Sequence, residues 1–135
     1  VPLMLEQGHG RIINIASIAG LVPLRLQCAY AAAKAGVVNL TRVMAIELGS
    51  RGILTNCIAP GSILTAGTKK LFWGEESKNT EQGKSMLAHV PLGRPANPEE
   101  IANAILFLAA PESSYVNGAV IPVDGGWTAG FAREF

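Results

Sequence analysis

Charge is scarce in this chain. Lys, Arg, Asp and Glu make up 16% of its 135 residues, and 11 basic residues nearly cancel 10 acidic ones for a net charge of +1. No basic stripe or Lys/Arg cluster stands out, which argues against nucleic acid as a partner; the Lys69-Lys70 pair reads as a solvated face. Cysteine is nearly lacking. Cys28 and Cys57 have no metal-like spacing and read as two buried free thiols in a reducing cytoplasm. Long apolar runs are missing as well: Asn14, Ser17, Arg25, Lys34 and Pro111 break them. None reaches the roughly 20 residues of a membrane-spanning helix, so no membrane partner is expected. No signal peptide, lipidation motif or acidic tail is visible.

What is present is apolar. Hydrophobic residues are 49% of the chain, punctuated by 15 glycines. This composition excludes disorder and suits a parallel sheet covered on both faces, whose strands read as continuous apolar runs. The length fits one domain. The chain opens at Val1, without Met, inside a helical stretch that Gly8 stops, and an opening inside an element leads us to expect a fragment.

Arg11 to Ala16 is a short β-branched run and reads as a buried strand, followed by a loop to Arg25. From about Gln27 to Leu48 the pattern is helical. Val37, Leu40, Met44 and Leu48 predict the packed stripe, and Ala31, Ala32, Ala33, Ala35 and Gly36 give a slim surface for close packing. Ile53 to Ala59 is a second buried strand, ended by Pro60-Gly61. Ser62 to Arg94 is polar and irregular, as a functional flap would be. Asn97 caps the next helix, with Pro98 at its first position and Glu100 completing a capping box. Ile101, Ile105 and Leu108 share that helix's face before Pro111 ends it. A turn at Asn117-Gly118 leads to a third strand, Ala119 to Val123, closed by Asp124-Gly125-Gly126. Strands alternating with helices predict an α/β class with a parallel sheet.

Tyr30 and Lys34 stand four apart, on one helical face. An ammonium beside a phenol favours the phenolate, and a phenol so tuned serves as a general acid or base near neutral pH. The spacing alone equally describes a surface Tyr leaning on a Lys stem. Ser17 follows the C-terminal end of the first strand, where open α/β sheets bind ligands. The second strand ends the same way, so Ser62 to Thr65 should lie beside Ser17, and the short loop after the first strand should return Tyr30 to that edge. Three polar groups then converge on one crevice. Asn14 and Asn56 read as structural, satisfying backbone.

Several ordered segments resemble the short-chain dehydrogenase/reductase family across nearly the whole chain. Gly10 to Gly20 (Gly-Arg-Ile-Ile-Asn-Ile-Ala-Ser-Ile-Ala-Gly) is similar to its strand and serine segment, and Tyr30-Ala31-Ala32-Ala33-Lys34-Ala35-Gly36 to its tyrosine–lysine signature. Ser17 and Tyr30 are separated by the step of thirteen residues that the family uses. Asn56 to Thr65 resembles its nicotinamide loop. Gly93-Arg94-Pro95, Pro98 to Ala102, and Asn117 to Gly126 resemble its C-terminal pattern. The overall look is nearest to 3-oxoacyl-carrier-protein reductases and gluconate 5-dehydrogenase-like members.

The resemblance implies an NAD- or NADP-dependent oxidoreductase interconverting a secondary alcohol and a carbonyl, on a sugar, polyol or 3-oxoacyl-type substrate. It implies that Tyr30 exchanges the substrate proton, that Ser17 hydrogen-bonds the reacting oxygen, and that Lys34 assists Tyr30 and reaches the nicotinamide ribose. Pro60, Gly61, the Ile63 backbone and the Thr65 hydroxyl would border the nicotinamide. Gln27, three before Tyr30, and Trp73 are candidates to line the substrate pocket, Trp73 within a flap from Ala66 to His89 that also carries Leu71, Phe72 and Met86. Trp127 and Phe131 are candidates for subunit contacts, and a homotetramer is expected for the full-length enzyme. No metal is expected.

The pattern departs from the family at one end. No Gly-x-Gly-x-x-Gly follows a strand; Gly8-His9-Gly10 precedes one and lacks the third glycine. The residue that chooses NAD over NADP and the asparagine of the family's proton relay are missing too. The expectation is the C-terminal half of a Rossmann-type doubly wound sheet, three strands with flanking helices and the N-terminal half missing. Residues 1–135 would then be a partial single domain, inactive by itself, its first strand left as an unpaired apolar edge. The alternative is a non-catalytic remnant serving as an association module.

Overall fold

The computed structural model describes residues 1–69 and 81–130. A short helix α1 (Pro2–Gln7) leads into strand β1 (Gly10–Ile15), then a 3-10 turn (Ile18–Gly20), the long helix α2 (Cys28–Gly49) and strand β2 (Ile53–Pro60). Two small helices follow, α3 (Ala66–Thr68) and α4 (Glu81–Leu87), then α5 (Pro98–Ala109), a 3-10 turn (Pro111–Ser113), strand β3 (Val120–Val123) and a last 3-10 turn (Trp127–Ala129). The strands form one parallel sheet in the order β1-β2-β3, with Asn14 opposite Cys57 and Cys57 opposite Val120. This is the expected α/β architecture, and its elements match the expected ones to within a residue or two. β1 pairs with β2 alone among the described residues, so its outer side is a sheet edge.

The period of two along the strands divides the core. Ala16 and Cys57 turn to α2 and pack with Val38, Leu21, Val37 and Val120. Ile13, Ile58, Ile121 and Val123 turn to the opposite face and pack with Ile101, Ile105 and Leu108 of α5. Ile58 and Leu108 are fully buried, each worth about 1.5–3 kcal/mol of removed apolar surface. A sheet with helices on both faces needs buried residues on both sides of each strand, which is why β2 is apolar apart from Thr55 and Asn56 and buried along nearly its whole length.

Two expectations need correction. The packed stripe of α2 runs through Val38, Thr41 and Ala45, whereas Leu40 is 52% exposed. Thr41 can be buried because its hydroxyl bonds the Val37 carbonyl at 2.8 Å and accepts from Asn14 Nδ2 at 2.9 Å. Of the two thiols only Cys57 is buried, and burial pushes it up from its ordinary value. Cys28 opens α2 on its solvent side and is exposed.

Asn56 serves structure as expected. It donates to the Val116 carbonyl at 2.7 Å and accepts from Ala119 N–H at 2.9 Å, fixing the entry into β3. Thr55 beside it is different. It is fully buried, and its hydroxyl has no partner among the described residues. Thr55→Val removes that unpaired group at nearly constant shape. We expect it to raise the free energy of unfolding by about 1 kcal/mol, read as a higher urea midpoint at an unchanged slope.

The Asn97 capping box forms as expected, and Glu100 does more than close it. Its carboxylate takes two bonds from the Arg94 guanidinium, at 2.7 and 2.8 Å, and one from Asn97 N–H at 2.8 Å. Arg94 foremost, and then Asn97, hold the Glu100 carboxyl down at about 2, from an ordinary 4.5. Folding depresses this group, so its contribution is complete above 4.5 and disappears as pH falls toward 2. Both side chains are part exposed, so solvent screening keeps the effect small. Between those two pH values the urea midpoint of the parent should fall more steeply than that of Glu100→Gln.

Candidate active site

The C-terminal ends of the three strands open onto one cleft of about 280 Å³. Ser17 enters it from the end of β1. Its hydroxyl accepts from Ala19 N–H at 3.2 Å and so caps the 3-10 turn; as the acceptor there, it keeps its O–H for a ligand oxygen. Tyr30, in the first turn of α2, and Gln27, the residue that caps that helix, line the same cleft. Tyr30 is 48% exposed, so a ligand can reach it.

Lys34 stands one turn further along α2, with Nζ 5.8 Å from the centroid of the Tyr30 ring, within cation–π range. Nζ also donates to the Ile15 carbonyl at 3.0 Å. That bond ties α2 to the end of β1 and fixes the ammonium beside the phenol. An ammonium has three donors, and this contact uses one.

The segment after β2 supplies the facing wall, with Gly61, Ser62 and Ile63 at the cleft. Ile63 forms a parallel bridge with Ala96. Its flanking bonds run from Ala96 N–H to the Ser62 carbonyl and from Leu64 N–H to the Ala96 carbonyl, which turns the Ile63 N–H away from Ala96. An outward backbone donor beside Ser17 and Tyr30 suits a carboxamide oxygen, so this segment fits the nicotinamide end of a dinucleotide. Gly61 runs so close to Asp124 that a β-carbon would lie 2.8 Å from the Asp124 Cα.

Pro60 is buried as the last residue of β2, behind this wall. Thr65 is exposed and caps α3: its hydroxyl accepts from Thr68 N–H at 3.2 Å, and Thr68 Oγ1 accepts from Thr65 N–H at 2.8 Å. Thr68 lines the cleft in its place. Trp73, with Leu71 and Phe72, lies outside the described residues, as does Phe131.

The last wall belongs to the C-terminal turn. Trp127, considered above for a subunit contact, lines the cleft and stacks on His89 with ring centroids 5.7 Å apart. Asp124 holds this turn, accepting from Gly126 N–H at 2.9 Å, Thr128 N–H at 2.8 Å and Thr128 Oγ1 at 2.6 Å. Burial pushes the Asp124 carboxyl up, but those hydrogen bonds together outweigh it and hold the group below its ordinary value. Trp127 follows the end of β3, the same sheet edge that identified Ser17, and that position could have marked it. Ile18, Leu24 and Met86 complete an apolar side. Among the described residues no group of three or more His, Cys, Asp or Glu is placed to hold a metal ion, and no helix is long and apolar enough to cross a membrane.

Comparison with known proteins gives the family and the fold. The family described as enoyl-(acyl carrier protein) reductase matches residues 1–128. A 3-oxoacyl-[acyl-carrier-protein] reductase of Thermotoga maritima is 47% identical over 93% of the chain and 48% of its own length. A 2-(S)-hydroxypropyl-CoM dehydrogenase of Xanthobacter autotrophicus is 41% identical over 93% of the chain and 49% of its own length. A crystal structure described as an NAD(P)-dependent gluconate 5-dehydrogenase from Beutenbergia cavernae, with NADP at low occupancy, superposes with a TM-score of 0.86. It is 42% identical over 96% of the chain and 50% of its own length. The chain spans about half the length of these relatives.

Proposed function

The chain belongs to the short-chain dehydrogenase/reductase family, and from that membership we propose that its cleft is the proton-transfer side of an oxidoreductase interconverting a secondary alcohol and a carbonyl. The observation that carries the proposal is the meeting of Ser17, Tyr30 and the Gly61–Ile63 segment in one cleft, with Lys34 fixed beside Tyr30.

In this reading Tyr30 gives its phenolic proton to a carbonyl oxygen, or takes one from an alcohol. Ser17 donates to the same oxygen and steadies the charge that develops on it. Lys34 assists Tyr30, and its remaining donors suit ribose hydroxyls. The Ile63 N–H, with Gly61 and Pro60 behind it, holds the nicotinamide, and Thr65, through its cap on α3, keeps Thr68 at the cleft. NAD or NADP, when bound, supplies the hydride chemistry. The 135 residues contain no Gly-x-Gly-x-x-Gly to grip the pyrophosphate, so the chain by itself does not turn over. Self-association, tetrameric in the full-length enzyme, would cover the exposed Leu40, Val43 and Ile46 of α2, and a reducing cytoplasm suits the free thiols.

The test is a hybrid in which this chain replaces the matching half of the Thermotoga maritima reductase. Carbonyl-dependent oxidation of NADH or NADPH is expected from the hybrid and not from the chain alone. A folded hybrid that binds NADH or NADPH yet leaves it unoxidised with every carbonyl offered sinks the oxidoreductase reading. Micromolar cofactor binding with turnover by the chain alone sinks the claim of inactivity.

A further inference from the structure

We infer that this cleft takes an uncharged, compact alcohol or ketone whose apolar body rests on Trp127 and Met86 while its oxygen reaches Ser17 and Tyr30. The inference rests on the oxidoreductase reading and adds a substrate class to it.

Charge is the first argument. None of the described residues lining the cleft is Asp, Glu, Lys, Arg or His. Lys34 is not among them, and its ammonium is turned to the Ile15 carbonyl. A carboxylate, sulfonate or phosphate pressed against these walls would lose water without gaining a cation, a cost of several kcal/mol. The hydroxyls of Ser17 and Tyr30 and the amide of Gln27 suit neutral oxygens instead.

Size and shape are the second. A cleft of about 280 Å³ is at the small end of ligand sites, which run from about 300 to 1,000 Å³. The Gly61–Ile63 side is already assigned to nicotinamide, so the remaining space fits a single ring or a short branched chain. Trp127 and Met86 offer that body a broad aromatic surface and a thioether that adapts to its outline.

The third argument is rigidity. Trp127 does not hang free: the three bonds to Asp124 hold its turn, and His89 stacks on its ring. At Gly126 a β-carbon would lie 3.1 Å from Pro91, so the turn also packs closely on the segment that carries His89. A wall fixed before binding loses little entropy when a ligand arrives.

The test uses the 135-residue chain and no nicotinamide. Its two indole N–H signals are assigned by Trp73→Phe and followed by NMR against cyclohexanone and cyclohexanecarboxylate. Saturable movement of the Trp127 signal is expected with the ketone, and affinity at least about tenfold weaker for the carboxylate. Trp127→Leu and Met86→Ser, read by saturation transfer to the ketone, should each weaken binding by about tenfold, the scale of one apolar contact. A carboxylate that binds as well as the ketone overturns the inference, and so does a ketone that does not bind or whose binding ignores both substitutions. If the hybrid turns over while the ketone leaves Trp127 unmoved, the substrate class falls and the reaction stands. If the ketone binds as described and the hybrid is inert, the reaction falls.

Discussion

Replacing Tyr30 by phenylalanine in the hybrid enzyme is expected to lower kcat by about 10³-fold, within the range for a positioned acid–base group, and to leave KM nearly unchanged. The substitution removes one oxygen and keeps the ring. The ring still lines the cleft, and Lys34 still stands 5.8 Å from its centroid, held by the Ile15 carbonyl. Substrate binding and the start of α2 should therefore survive, and the free energy of unfolding should stay within about 0.5 kcal/mol of the parent's, as surface substitutions do. What disappears is the proton at the reacting oxygen. Ser17→Ala removes a hydrogen-bond donor to that oxygen and leaves the proton source, so a loss of about 10²-fold is expected. It should also cost some stability, because Ser17 caps the turn through Ala19 N–H. A Tyr30→Phe hybrid that keeps most of its kcat would mean that the proton comes from elsewhere.

The sequence was most legible where chemistry and periodicity agree. β2 is a mostly apolar segment between Gly52 and Gly61, and the start of α5 is written in Asn97, Pro98 and Glu100. Ser17 and Tyr30 could be brought together because strand ends of a parallel sheet share one edge. Legibility failed where a polar residue is buried by a specific partner. Hydropathy spacing favoured Leu40 for the stripe of α2, since it cannot register that Thr41 is satisfied by Val37 and Asn14. It also could not anticipate contacts between distant residues. Arg11, at the start of β1, donates to the carbonyls of Leu108, Pro111 and Ser113, about 100 positions away, at the end of α5. Asn117 joins Thr55 N–H to the Ala45 carbonyl in the same way. Trp127 reads as one more apolar tail residue until the Asp124 turn and its stack on His89 carry it to the cleft.

The glycines around α2 yield the second large effect, with two substitutions of the same kind and opposite sign. Close packing on α2 was expected from its small residues, but Ala32, Ala33, Ala35 and Gly36 are exposed, and a close approach to the helix backbone comes instead from Gly20. A β-carbon there would lie 2.7 Å from the carbonyl carbon and oxygen of Lys34 and 2.9 Å from the Ala35 nitrogen. These are backbone atoms, so no rotamer can relieve the clash. The helix would have to retreat from the 3-10 turn, carrying Tyr30 and Lys34 with it. Gly20→Ala should then cost about 1–3 kcal/mol, the range for an overfilled core, and strain the Lys34 bond to Ile15. Gly36 is the reverse. It is exposed within α2, and a β-carbon there meets nothing within 4 Å. Gly36→Ala should therefore stabilise the chain by about 1 kcal/mol, the helix-interior difference between the two residues. Urea unfolding of the two variants checks both signs. A Gly20→Ala chain as stable as the parent would show that the turn and helix are not in contact. A Gly36→Ala chain less stable than the parent would show that this face of α2, continuous with exposed Leu40 and Val43, is covered by another copy of the chain in solution.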